Sequence, residues 1–118
     1  MKVPNLLGHA LSMEDIRNSA GNCVGGMDFG TLSHQKTVIA NASALLSADG
    51  CNPPFDLYLH PDQYYEAIMD TDTYNCLLRI IGGSIYMDND ICCGHGVLIA
   101  RLKSPHSEFD HICNITGI

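Results

Sequence analysis

The chain has 118 residues, enough for one hydrophobic core but not for two. Hydrophobic residues make up 46% of it, an ordinary globular fraction, so disorder is not expected across most of the chain. Thirteen acidic against six basic residues give a formal charge of −7, a surface that repels phosphate backbones. Direct nucleic-acid binding is therefore not expected.

The first thirty residues are interrupted repeatedly. Leu6, Leu7, Leu11, Met13 and Ile16 fit one or two amphipathic helical turns, and Gly21, Gly25, Gly26 and Gly30 then mark a glycine-rich connector. The glycines lack phosphate-loop or GxGxxG spacing, so no nucleotide cofactor is expected. Residues 1–30 are read as a poorly defined N-terminal segment, and residues 31–118 as a single domain. The start carries no apolar core of the signal-peptide kind, and no apolar run approaches the ~20 residues that span a bilayer, so a cytoplasmic chain without membrane partners is expected. In that compartment Cys23, Cys51, Cys76, Cys92, Cys93 and Cys113 are expected as free thiols.

From Thr31 the pattern becomes helical. Leu32, Ile39 and Leu46 recur at seven, with Val38, Ala42 and Leu45 filling the same face, which predicts an amphipathic helix capped by Asp28 or Thr31 and closed by Gly50. Pro53-Pro54 then leads into a strand whose apolar side is Phe55, Leu57 and Leu59. Pro61 suits the first helical position, Asp62 and Glu66 favour the positive end of the helix dipole, and one of Tyr64 and Tyr65 with Ile68 and Met69 supplies the buried side. Residues 70–73 interrupt this helix, and 74–81 resume it. Gly82-Gly83 turns into a strand over Ser84 to Met87, and Asp88-Asn89-Asp90 forms a polar turn. The apolar run Val97 to Leu102 predicts a strand covered on both faces, and Phe109 to Ile115 a final strand paired with it as a hairpin across a turn at Lys103 to Glu108. The result is an α+β domain, one long and one or two short helices packed on a small mixed or antiparallel sheet.

Three chemical readings compete for the polar residues. Cys92, Cys93, His95, His111 and Cys113 lie on two arms of the expected hairpin and carry soft donors of the kind zinc or iron accepts, although adjacent cysteines in an extended chain face opposite ways. Cys92 or Cys93 with His95, His106 or His111 as base and Asp90 or Asp110 as orienting carboxylate is the nucleophilic alternative, for which no strained turn or helix terminus is legible. A ligand pocket around His60, Tyr64 and Tyr65 is the third, with one tyrosine expected toward the core and one toward water. No catalytic constellation or cofactor motif emerges, so an enzyme is not expected.

The order of several phrases resembles one family. The helix ending at Asp49-Gly50, then Phe55-Asp56-Leu57-Tyr58-Leu59 and His60-Pro61-Asp62-Gln63-Tyr64-Tyr65, is similar to the "fxLvlxPxxYxxL" phrase in the axial domain of tailed-phage major capsid proteins and encapsulins. Gly82 to Asn89 resembles the short strand that follows. Gly96 to Ala100 with Phe109 to Cys113 and Ile115 to Ile118 is similar to the encapsulin "LLVS…FDLVVGQDLSVG" region. About residues 30–118 are covered. Within these 118 residues no room is expected for the family's N-terminal arm, long spine helix, extended loop and returning C-terminal strand of the peripheral domain. The resemblance implies a non-enzymatic structural protein with a truncated axial-domain fold, found in the cytoplasm or in a virion if phage-encoded. Its partners would be further copies or other shell chains, arranged about five- or six-fold axes. It also implies that Asp70, Asp72, Tyr74, Asp88 and Asp90 lie near such an axis as oligomer contacts.

Overall fold

The computed structural model describes residues 20–25, 29, 32–102 and 111–115. The expected helical turns before residue 17, the Asp28 or Thr31 cap and the turn at 103–108 lie outside those residues. The described elements run β1 (Asn22–Val24), α1 (Leu32–Ala48), β2 (Phe55–Leu59), α2 (Pro61–Met69), α3 (Thr71–Ile81), β3 (Gly82–Met87), β4 (Gly96–Ala100) and β5 (Ile112–Ile115). Five strands form one mixed sheet in the order β1-β5-β4-β2-β3. The fold is α+β, with three helices among the described residues packed on a mixed sheet. Pairing is parallel for β1 with β5 and β2 with β3, and antiparallel for β2 with β4 and β4 with β5.

Local chemistry sets the helix boundaries. At the end of α1 the Gly50 N–H donates to the Ser47 carbonyl at 3.0 Å and the Cys51 N–H to the Leu46 carbonyl at 3.0 Å. That is the Schellman pattern, which requires a left-handed residue at Gly50, where φ is 86°. Cys51 and Leu46 are both buried, the apolar contact that accompanies this cap. Pro61 opens α2 behind His60, whose ring nitrogen accepts from the Asp62 N–H. Asp70 ends α2 and caps α3, accepting from the Thr73 N–H at 3.1 Å. Gly82 closes α3 at φ 68° and begins β3 in the same residue.

The helices bury different residues from those the sequence predicts. On α1 the inward residues are Gln35, Val38, Ile39, Ala42, Ser43 and Leu46, whereas Leu45 is exposed. The stripe is turned by about 20° from the expected one, because Gln35 and Ser43 take the places expected of Leu32 and Leu45, and Leu45 lies about 100° from Leu46. On α2, Gln63 and Ala67 face inward one turn apart, and Met69 is 84% exposed rather than buried.

Register assigns the sheet two faces. Phe55, Leu57 and Leu59 of β2 share one with Leu98 and Ala100 of β4 and Cys113 and Ile115 of β5, and these residues belong to the same core cluster as the buried positions of α1, α2 and α3. Asp56 and Tyr58 share the other with Val97, Ile99, Ile112 and Asn114. All five residues of β2 and all five of β4 are buried. The burial expected for β4 holds over Gly96–Ala100, whereas Arg101 and Leu102, expected in the same strand, lie beyond it and are exposed. Strand β2 is buried as expected, on the side of Asp56 and Tyr58 as well as on its apolar side.

Two further differences concern strand ends. The glycine-rich connector contains β1, in which Asn22, Cys23 and Val24 pair with Cys113, Asn114 and Ile115, so the sheet reaches back across residue 30. Strand β3 begins two residues earlier than expected and carries an extra residue against β2. Phe55 pairs with Gly82 and Leu57 with Ile85. This bulge sets Gly83 so close to β2 that a Cβ there would lie 2.1 Å from the Phe55 carbonyl oxygen.

Candidate functional site

Polar side chains gather at the end of β2 where His60 and Pro61 start α2. The Asp88 N–H donates to the Leu59 carbonyl at 2.9 Å, so the segment after β3 returns alongside the end of β2. Ile91 is buried, and the His95 N–H closes a turn onto the Cys92 carbonyl at 3.0 Å. Gly94 occupies the third position of that turn at φ 81°, where glycine is favoured. Its N–H donates to Gln63 Oε1 at 2.8 Å, fastening the turn to the first turn of α2. Gln63 is 3% exposed, so this bond is shielded from water.

The turn carries Cys93 over the helix start. Its Sγ donates to Asp62 Oδ2 at 3.4 Å and accepts from Gln63 Nε2 at 3.9 Å. His60 Nδ1 lies 3.8 Å from the same Asp62 oxygen. Among the described residues, His60, Asp62 and Cys93 are the group whose ligand atoms all fall within 4.8 Å of one another.

The five donors read as a metal set from sequence are not brought together. Cys92 and Cys93 are exposed, while Cys113 and His111 are buried. A hairpin approximates residues next to its turn, but His95 precedes β4 at the far end. Ala100 donates to the His111 carbonyl at 2.8 Å, so five residues of β4 separate the two imidazoles, about 16 Å at ~3.3 Å per residue. Burial pushes the Cys113 thiol up to about 12, with Cys23 adding to it, which keeps this sulfur neutral. His106 and Asp110 of the nucleophilic reading lie outside the described residues. Tyr64 packs against the core and Tyr65 is exposed, their rings meeting edge-on at 5.6 Å, as adjacent helical positions require.

Asp70, Asp72 and Tyr74 surround the α2–α3 junction, and Asp88 and Asp90 precede the Cys92 turn. The two groups lie toward opposite ends of α2, whose nine residues span roughly 13 Å. Asp70 is engaged as a cap, Asp88 accepts from the Asp90 N–H at 2.9 Å, and Tyr74 is half-buried against the core. Asp72 and Asp90 are exposed.

The opposite face of the sheet holds a charged group that the sequence did not reveal. Asp56 is buried on β2, and its carboxylate accepts from Arg101 Nε at 3.1 Å, from Arg101 Nη2 at 2.9 Å and from the Ser84 N–H at 3.1 Å. One side chain thus ties β3, β2 and the end of β4, and supplies an acceptor for the backbone N–H beside the bulge. Its hydrogen bond and charge raise the Arg101 pKa. Beside it Tyr58 stacks on Tyr86 at 5.0 Å, and burial followed by the Asp56 charge pushes the Tyr58 phenol up to about 12. The group braces the sheet.

No family model matches the chain, and no curated protein does. Among solved structures it is similar to a virus-like particle from Pyrococcus furiosus, with a TM-score of 0.67 and 14% identity. The alignment covers 90% of this chain and 61% of that one. At this identity the likeness is one of fold. Among the described residues no helix is long and apolar enough to cross a membrane.

Proposed function

We propose that this chain is a non-enzymatic structural protein that builds or joins a protein shell, its fold corresponding to the axial domain of capsid and encapsulin subunits. The observation that carries this reading is the fold likeness to a virus-like particle over 90% of the chain at a TM-score of 0.67. The order of phrases from Phe55 to Tyr65 and from Gly96 to Cys113 supports it independently. Exposed apolar side chains on different elements, Tyr65, Met69, Tyr86, Met87 and Leu102, give neighbouring copies surface to bury. Asp72 and Asp90 are the exposed members of the set assigned to oligomer contacts. The partners are further copies of this chain or other shell chains, in the cytoplasm or in a virion, and the charge of −7 disfavours direct contact with nucleic acid.

The test is absolute mass by light scattering behind a sizing column over a wide concentration range, with electron microscopy of the same fractions. Five- or six-fold rings or larger particles are expected, with Asp72→Arg or Asp90→Arg shifting the distribution. A 12.8 kDa monomer at every concentration, alone and with candidate shell chains, would sink the proposal.

A further inference from the structure

We propose that His60, Asp62 and Cys93 form a three-ligand site for a divalent transition metal of the zinc class, with its fourth position open to solvent. The proposal stands on geometry and donor chemistry, independently of the shell reading. Zinc takes imidazole nitrogen, carboxylate oxygen and thiolate sulfur at about 2.0–2.3 Å in a tetrahedron, whose edges are then about 3.3–3.8 Å. The edge from Cys93 Sγ to Asp62 Oδ2 is 3.4 Å and that from His60 Nδ1 to Asp62 Oδ2 is 3.8 Å. The third edge lies within 4.8 Å, so a small rotation of the His60 or Cys93 side chain closes it. A nitrogen, an oxygen and a sulfur together select zinc, cobalt or nickel over calcium and magnesium, which require oxygen donors.

The ligands come from two segments held rigidly together. His60 and Asp62 are fixed by the junction of β2 with α2. Cys93 is fixed by the turn that buried Gln63 holds through the Gly94 N–H, the same side chain donating to the sulfur. Such support around a ligand commonly sets metal affinity by 10–100-fold. Metal binding on His60 Nδ1 displaces one bond, that from the Asp62 N–H at 3.1 Å. Asp62 is exposed, so water can take over that donor. Asp62 and Cys93 both reach solvent, which leaves the fourth position to water or to a donor on another molecule. Binding replaces the thiol proton by the metal, and the proton passes to solvent.

The experiment is titration of the whole, reduced, chelator-treated chain with Co2+, reading the thiolate-to-cobalt charge-transfer band and the visible bands of tetrahedral cobalt, followed by competition with Zn2+. One equivalent is expected to give both bands, and zinc to abolish them. Cys93→Ser is expected to remove the charge-transfer band, and Asp62→Asn and His60→Asn to weaken binding at least 10-fold. The His60→Asn variant retains a side-chain acceptor for the helix cap, and circular dichroism verifies its fold. Cys92→Ser is expected to bind as the unaltered chain does. Absence of a one-equivalent complex, a charge-transfer band that survives Cys93→Ser, or equal loss in Cys92→Ser would each overturn the site.

Discussion

Adding one methyl group at Gly83 tests the account of the β2–β3 pairing most directly. A Cβ there would meet the Phe55 carbonyl oxygen at 2.1 Å and Asp56 Oδ1 at 2.8 Å. Restoring even a 3.0 Å contact requires β3 to retreat by about 1 Å, an overpacking cost of about 1–3 kcal/mol. The same retreat stretches the bond from the Ser84 N–H to Asp56 and a neighbouring ladder bond, each contributing about 1 kcal/mol. The sum is about 3–5 kcal/mol. With an unfolding entropy of ~2.1 cal/mol/K per residue, the 118-residue chain melts about 12–20 °C lower. Gly82→Ala is the control. Its nearest neighbour would be the Pro53 Cβ at 3.6 Å, an ordinary contact, but φ is 68°. The left-handed conformation costs about 1–2 kcal/mol there, or roughly 4–8 °C. Both variants would be followed by circular dichroism on heating and by urea titration. If Gly83→Ala is the milder of the two, the bulge does not bring the strands as close as argued.

Three other outcomes follow from the packing and the charges. Leu46→Ala is expected to lower stability by about 2–5 kcal/mol and Leu45→Ala by less than about 0.5 kcal/mol, because only Leu46 faces the core. Equal urea midpoints for these adjacent leucines would refute the orientation of α1. Arg101→Ala is expected to destabilise more than Asp56→Asn, since the first strands a buried carboxylate while the second leaves an arginine that can turn to water. A double mutant no worse than Arg101→Ala alone would confirm that the residues act as a pair. Folded-state values of about 12 for Cys113 and Tyr58 stand above the ordinary 9.0 and 10.0, so both groups favour the folded state while protonated. Their contribution is complete below pH 9 and is lost as pH rises toward 12. Urea midpoints should therefore fall from pH 9 upward, and Cys113→Ala should flatten the first part of that fall.

What the sequence disclosed was what short-range chemistry controls. Gly50 and Gly82 mark helix ends because left-handed caps favour glycine, Pro61 marks a helix start because it lacks an N–H, and the apolar run of β4 marks a strand buried on both faces. Strand β1 escaped because three residues between glycines have no period to detect, and its partner lies at the other end of the chain. Asp56 escaped because an alternating polar residue ordinarily faces water, and only the register shows that Arg101 and Ser84 meet it. The metal donors were partly visible in His60-x-Asp62 at a strand–helix junction. Their convergence with Cys93 depends on the bond between Gln63 and Gly94, which no local pattern encodes. The hairpin set failed for the opposite reason. A hairpin brings together residues at matching distances from its turn, and the length of β4 separates His95 from His111.

Strand β1 has a consequence beyond stability. It completes the sheet by lying parallel to β5, so Cys23 faces Asn114 across nearly the whole chain. This pairing can form only after everything between has been synthesised, and it carries a loop-closure entropy that local contacts do not. Until it closes, β5 presents a bare edge to which the β1 segment of another molecule can also pair at high concentration. Exchange of these segments would link copies into swapped pairs or chains without creating a new interface.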